Sequence, residues 1–143
     1  RRDVIAATFA ADTVEEIFEG LERVGRGSSA DAEFCRIARA ELGKRAPMSL
    51  KVTLRHLHRS RDRDLRATLE DDHRLASWFL AGDDFYEGVR AVLIDKDHAP
   101  RWRPADLVDV TDEMVDRYFA PFGDDDLALP PREEMQVMGK SDQ

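Results

Sequence analysis

The stretch Asp83–Trp102, DDFYEGVRAVLIDKDHAPRW, constrains this chain more than any other segment. Asp84 stands where a side chain can accept from the first backbone N–H groups of a helix. Glu87 follows at the third helical position, from which a carboxylate can reach back to the cap. Phe85, Val89, Val92 and Leu93 recur at helical spacing and give one apolar stripe. The charged IDKD corner interrupts that stripe. Pro100 and Pro104 then bracket Arg101–Arg103 in a segment that cannot continue as helix. Glu87 has a sufficient explanation as a cap and as a partner for Arg90 three residues on, so no catalytic role is assigned to it.

Helical signals recur through the rest of the chain. Thr13 with Glu16 forms a capping box ahead of Val14, Ile17, Phe18 and Leu21. Gly25–Ser29 reads as a flexible break, and a second helix is expected over about 30–44 with Phe34, Ile37, Ala38 and Leu42 inward. Pro47 suits the first turn of a third helix marked by Leu50, Leu54 and Leu57. The alternating charges of Arg59–Arg66 read as a solvated turn. Asp64 caps a fourth helix with Leu65, Leu69, Leu75, Trp78 and Phe79 toward a core, and Gly82 stops it. Asp83–Trp102 supplies the fifth. Thr111 caps a sixth, bearing Met114, Val115, Tyr118 and Phe119. The expected fold class is therefore mainly α, about six helices, in a unit covering 1–122. An acidic and then Pro-containing tail over 123–143 is expected to be loose.

Composition removes several classes of function. A net charge of −8 argues against a nucleic-acid binder, since phosphate neutralisation needs a basic surface. Uninterrupted apolar runs such as Ala91–Ile94 are too short to span a bilayer, so no membrane partner is expected. The single cysteine, Cys35, allows no internal disulfide and suggests a reducing, cytoplasmic setting. Phe34 and Ile37 beside it favour a buried structural thiol. His56 and His58 lie two apart and point to different sides of a helix, and no metal-binding spacing occurs. Asp124–Asp126 lacks the glycine and terminal glutamate of a calcium loop and reads as a solvated acidic turn. Lys51 and Arg55 share a helix face, turned either to a phosphate or to solvent.

Five segments together resemble the C-terminal part of the 3-hydroxyisobutyryl-CoA hydrolase family, in the crotonase (enoyl-CoA hydratase/isomerase) superfamily. They are FAADTVEEIFEGLE at 9–22, SLKVTLR at 49–55, LEDDHRLASWFLAGDDFYEGVRAVLIDKD at 69–97, RPADLVDVTDEMVDRYF at 103–119 and DLALP at 126–130. The resemblance implies the C-terminal helical part of a crotonase-like α/β parent. Its oxyanion-hole amides and catalytic carboxylates would belong to an N-terminal core that this chain does not resemble. No catalytic residue is thus expected here. A CoA thioester would be the substrate, with no further cofactor and no metal. The partners implied are that acyl-CoA, the N-terminal crotonase core of the same protein, and a second copy in a homo-oligomer.

By position in the family pattern, Lys96, Arg101 and Trp102 are the candidates for contact with CoA. A nucleotide offers an adenine face and phosphates, and these residues offer an aromatic plane beside positive charge. Two other assignments stay open: Trp102 plugging a seam against the core, and Lys96 paired with the flanking Asp95 or Asp97. Hydrolysis of 3-hydroxyisobutyryl-CoA, in valine breakdown, is the implied reaction. Hydration or isomerisation of an enoyl-CoA and a non-catalytic helical docking module are the alternatives.

Overall fold

The computed structural model describes residues 1–127 and 129. Among them the regular structure is entirely helical: α1 (Arg2–Phe9), α2 (Val14–Gly25), α3 (Ala30–Leu42), α4 (Pro47–Ser60), α5 (Leu65–Ala81), α6 (Asp83–Val89) and α7 (Asp112–Arg117). A π-helical turn, Arg90–Ile94, extends α6, and short 3-10 turns occupy Leu107–Asp109 and Gly123–Asp125.

The caps explain most of the boundaries. Thr13 and Glu16 form the reciprocal capping box of α2. Ser29, Asp64 and Thr111 each accept from a backbone N–H in the first turn of the following helix. Pro47 opens α4, where its missing N–H costs nothing. The sequence pattern did not announce α1, whose Val4 and Phe9 pack against Ile17, Leu21 and Cys35. Gly20 makes that approach possible, since a Cβ there would lie 3.2 Å from the Thr8 methyl. The break after α2 is pinned rather than flexible. Arg36 of α3 donates to Gly25 O at 2.6 Å and Gly27 O at 3.1 Å, satisfying carbonyls at the end of α2.

Two cores flank α4. Ile17, Leu21 and Cys35 form one, with Phe34, Ala38, Leu42 and Leu54 packed on it. Met48, Val52, Leu75, Val110, Val115 and Phe119 form the other. Complete burial of Leu21 or Val52 is worth roughly 1.5–3 kcal/mol each. Cys35 is fully buried, as its apolar neighbours implied.

Several expected core positions lie outside both clusters. Ile37, Leu57, Leu65, Leu69, Phe85, Val92, Leu93 and Met114 are exposed. Helical spacing identifies an apolar stripe, but which stripe is covered depends on the partner element. On α4 the buried positions are Met48 and Val52; of the Leu50–Leu54–Leu57 row, Leu54 packs on the other core and Leu57 is exposed.

Charge placement also differs from the expectation of a solvated 59–66 turn. Asp71 is fully buried and meets Arg59 at 3.1 Å, Arg63 at 2.9 Å and Arg74 at 3.5 Å. Arg74 in turn binds Asp126, whose carboxyl it holds below the ordinary range. The acidic turn is thereby tied to α5. The expected loose tail otherwise falls, at 128 and 130–143, outside the described residues. Lys51 and Arg55 are engaged by groups of the chain itself. Lys51 donates to Val110 O and pairs with Glu15, and Arg55 pairs with Asp112 and Asp116.

Candidate functional site

A cleft of about 610 Å³ runs between the start of α4 and the α6 segment. Arg45, Ala46, Ser49 and Thr53 line one side, and Phe85, Val89, Val92 and Leu93 the other. Phe79 and the Trp102 indole also line it. Its volume and apolar walls with a few polar groups are those of a small-molecule site. The residues left exposed by the two cores are thus in part the lining of this cleft. It combines Phe85, Val92 and Leu93 from the stripe recognised in the sequence.

The wall formed by Trp102 is built by α6. Gly82, not Asp84, precedes the first turn of that helix, and no side chain caps it. Asp84 and Glu87 turn instead toward the returning chain. Asp84 accepts from Arg103 N at 2.9 Å, and Glu87 accepts from Arg101 N at 2.7 Å. Trp102 is therefore held on both sides by carboxylates one turn apart on α6. Gly88 lies against its ring: a Cβ there would meet the indole at 3.4 Å, an ordinary van der Waals contact. The indole N–H donates to Lys44 O at 3.0 Å, joining the loop to the turn between α3 and α4. So Trp102 is seated within the described fold, and its ring still borders the cleft.

Arg90 organises the rest of the loop. It binds Glu87 through two nitrogens at 2.8–2.9 Å, Asp95 at 2.6 Å, Asp97 at 2.7 Å and Ala99 O at 3.3 Å. The pairing with Glu87 follows helical spacing. Those with Asp95 and Asp97 do not, because they require the π turn, in which Asp95 N donates to Arg90 O at 2.8 Å. Lys96 and His98 adopt φ of 55° and 53° in this loop. Left-handed backbone at non-glycine residues costs on the order of 1–3 kcal/mol each, which the Arg90 contacts help to offset.

These contacts set the ionisation of the site. Hydrogen bonds from Arg90 first, and then from Arg101 N, lower the Glu87 carboxyl to about 2. A carboxylate so committed is a poor proton acceptor near neutral pH. Asp97 is held low by Arg90 and by Ala99 N. Burial pushes Asp84 upward against the opposing bond from Arg103 N, with Asp83 and Glu87 adding to the rise.

Of the three sequence candidates, only Trp102 lines the cleft. Arg101 contributes its backbone N–H to Glu87 and keeps its side chain exposed. Lys96 is exposed, and both flanking aspartates are turned to Arg90 rather than to it. Asp95 and Asp97 are neighbours of Lys96 in sequence, yet in the fold both pair with Arg90. A five-residue reach from Arg90 to Asp95 is the sequence signal of this pairing, but ordinary helix geometry gives it no meaning. Among the described residues no group of His, Cys, Asp and Glu side chains is placed to hold a metal ion. No helix there is long and apolar enough to cross a membrane.

Comparison with known proteins places this arrangement. The profile of the enoyl-CoA hydratase/isomerase family matches residues 1–119. The human mitochondrial 3-hydroxyisobutyryl-CoA hydrolase is 44% identical over 125 residues, covering 87% of this chain and 31% of that protein. A probable 3-hydroxyisobutyryl-CoA hydrolase of Arabidopsis thaliana is 41% identical over 145 residues, covering 96% and 38%. The crystal structure of a carnitinyl-CoA dehydratase from Mycobacterium thermoresistibile superposes with a TM-score of 0.74 at 32% identity. It covers 91% of this chain and 35% of that one.

The chain thus spans about a third of the length of the curated relatives it matches. The cytoplasmic expectation is corrected by the same comparison, because the human, rat and cattle relatives are named mitochondrial. A lone buried thiol reports that no internal disulfide forms and does not identify a compartment. The all-helical fold, the matched residues and the shared architecture lead to one conclusion: this chain belongs to the enoyl-CoA hydratase/isomerase family of the crotonase superfamily.

Proposed function

We propose that the chain is the C-terminal helical part of an acyl-CoA thioester hydrolase of the 3-hydroxyisobutyryl-CoA type. The observation that carries this reading is the apolar cleft bordered by an anchored Trp102, in a chain 44% identical to the human hydrolase. In the complete protein the N-terminal core supplies the oxyanion-binding amides and the acidic groups that handle water. Water adds to the thioester carbonyl, the C–S bond breaks, and CoA leaves as its thiol. The helices described here would border the acyl-CoA site. Trp102 offers an aromatic surface, while Lys96 and Arg101 offer positive charge to CoA phosphates. The likeness to a dehydratase supports a second reading, addition or removal of water across an acyl-CoA double bond.

The test uses the full-length protein. Release of free thiol from 3-hydroxyisobutyryl-CoA is expected, without loss of absorbance from an enoyl-CoA. The reverse pattern supports the second reading, and inactivity on both favours a docking module. Trp102→Ala is expected to raise KM for the thioester about tenfold while leaving kcat nearly unchanged, as loss of uniform binding does. A large fall in melting temperature with unchanged KM would make Trp102 a packing residue only.

A further inference from the structure

The Arg90 cluster is the largest feature near the cleft that no chemistry above uses. Arg90 does not line the cleft. Its guanidinium nonetheless contacts the chain at Glu87, Asp95, Asp97 and Ala99, so it ties α6 to almost the whole loop that leads to Trp102. Glu87 completes the link, because the oxygen that accepts from Arg90 also accepts from Arg101 N, the residue next to the indole. The loop has no apolar core of its own: residues 92–99 are exposed. Two of its residues, Lys96 and His98, hold left-handed backbone. Such a segment keeps one geometry only if side chains over-determine it, and Arg90 is where those contacts converge.

We propose that Arg90 is a positioning residue for the acyl-CoA cleft: by gathering Glu87, Asp95 and Asp97 it sets the loop that seats Trp102 against Gly88. This rests on the reading of the cleft given above. A planar fork is needed for the role. Lysine preserves the charge but cannot bind Glu87 through two nitrogens while reaching both aspartates.

The experiment labels the full-length protein with 5-fluorotryptophan and follows it by fluorine NMR. The Trp102 and Trp78 signals are assigned by their loss in Trp102→Phe and Trp78→Phe. In Arg90→Met the Trp102 signal is expected to shift or broaden while the Trp78 signal stays in place. KM for the thioester is expected to rise about tenfold with kcat within about twofold of wild type, and Arg90→Lys to fall between. An unmoved Trp102 signal overturns the proposal, as does a lowered melting temperature with KM unchanged. Should Arg90→Met fail to fold, Asp97→Asn keeps Arg90 and removes one of its partners. It is expected to move the same signal to a lesser degree, and no movement overturns the proposal. A wild-type protein that does not cleave the thioester removes the hydrolase reading. The Trp102 signal in Arg90→Met then still upholds or overturns the seating role by itself.

Discussion

Asp71 and Arg90 sit at the centres of two charge clusters that are inverse in composition and opposite in environment. Asp71 is fully buried and faced by Arg59, Arg63 and Arg74 from α4, α5 and the turn between them. Arg90 is half-covered and gathers Glu87, Asp95 and Asp97 from a single stretch of chain. The first joins separate elements in a low-dielectric setting, where an ion loses much if a partner is removed. The second acts at the surface, where each pair contributes little to global stability but several together define a loop. One cluster thus maintains the fold, and the other shapes the cleft wall.

The largest expected effect lies at the buried cluster. Asp71→Ala leaves three arginines converging on an empty centre and should destabilise the protein by about 3 kcal/mol, since breaking a buried pair is costly. This lies at the low end of the roughly 3–5 kcal/mol that breaking a buried pair costs, because the arginines are partly exposed. Denaturant unfolding measures it, and a loss indistinguishable from that of a surface substitution would erase the contrast between the clusters.

Salt should separate the two next. At about 1 M ionic strength the screening length is near 3 Å. The wild-type Trp102 fluorine signal is expected to shift toward its Arg90→Met position, while the stability difference between wild type and Asp71→Ala persists. Equal salt sensitivity of both would mean that burial does not distinguish them.

The smallest effect is in the pH profile. Glu87 in the folded protein titrates at about 2, below its ordinary value of 4.5. A depressed carboxyl contributes stability that is present above the unfolded value and lost as pH falls from about 4.5 toward 2. Glu87→Gln should therefore show a shallower acid decline in melting temperature across that window. An identical slope would mean that Glu87 is not held in its charged form by Arg90 and the Arg101 N–H.

Local chemistry made much of the fold legible in the sequence. The capping box at Thr13 and Glu16, the caps at Asp64 and Thr111, and Pro47 at a first turn all appear where their spacing indicated. Cys35 lies in an apolar core, as its neighbours suggested. In the candidate site the apolar stripe of α6 and the Glu87–Arg90 pair were readable, being interactions within one helix. The partners of Asp71 were not. Arg59 and Arg63 read as solvated because their target lies on a helix that only packing brings near.

The helical architecture, most helix starts and the family pattern are legible along the chain, because caps, turn residues and 3.6-residue periodicity act over a few neighbours. Tertiary structure alone decided which apolar stripe is covered and which lines a cleft. It also turned Asp84 and Glu87 from cap positions to the backbone on either side of Trp102. Burial and ion pairing depend on what a folded chain places opposite each residue, and spacing along the chain does not encode that.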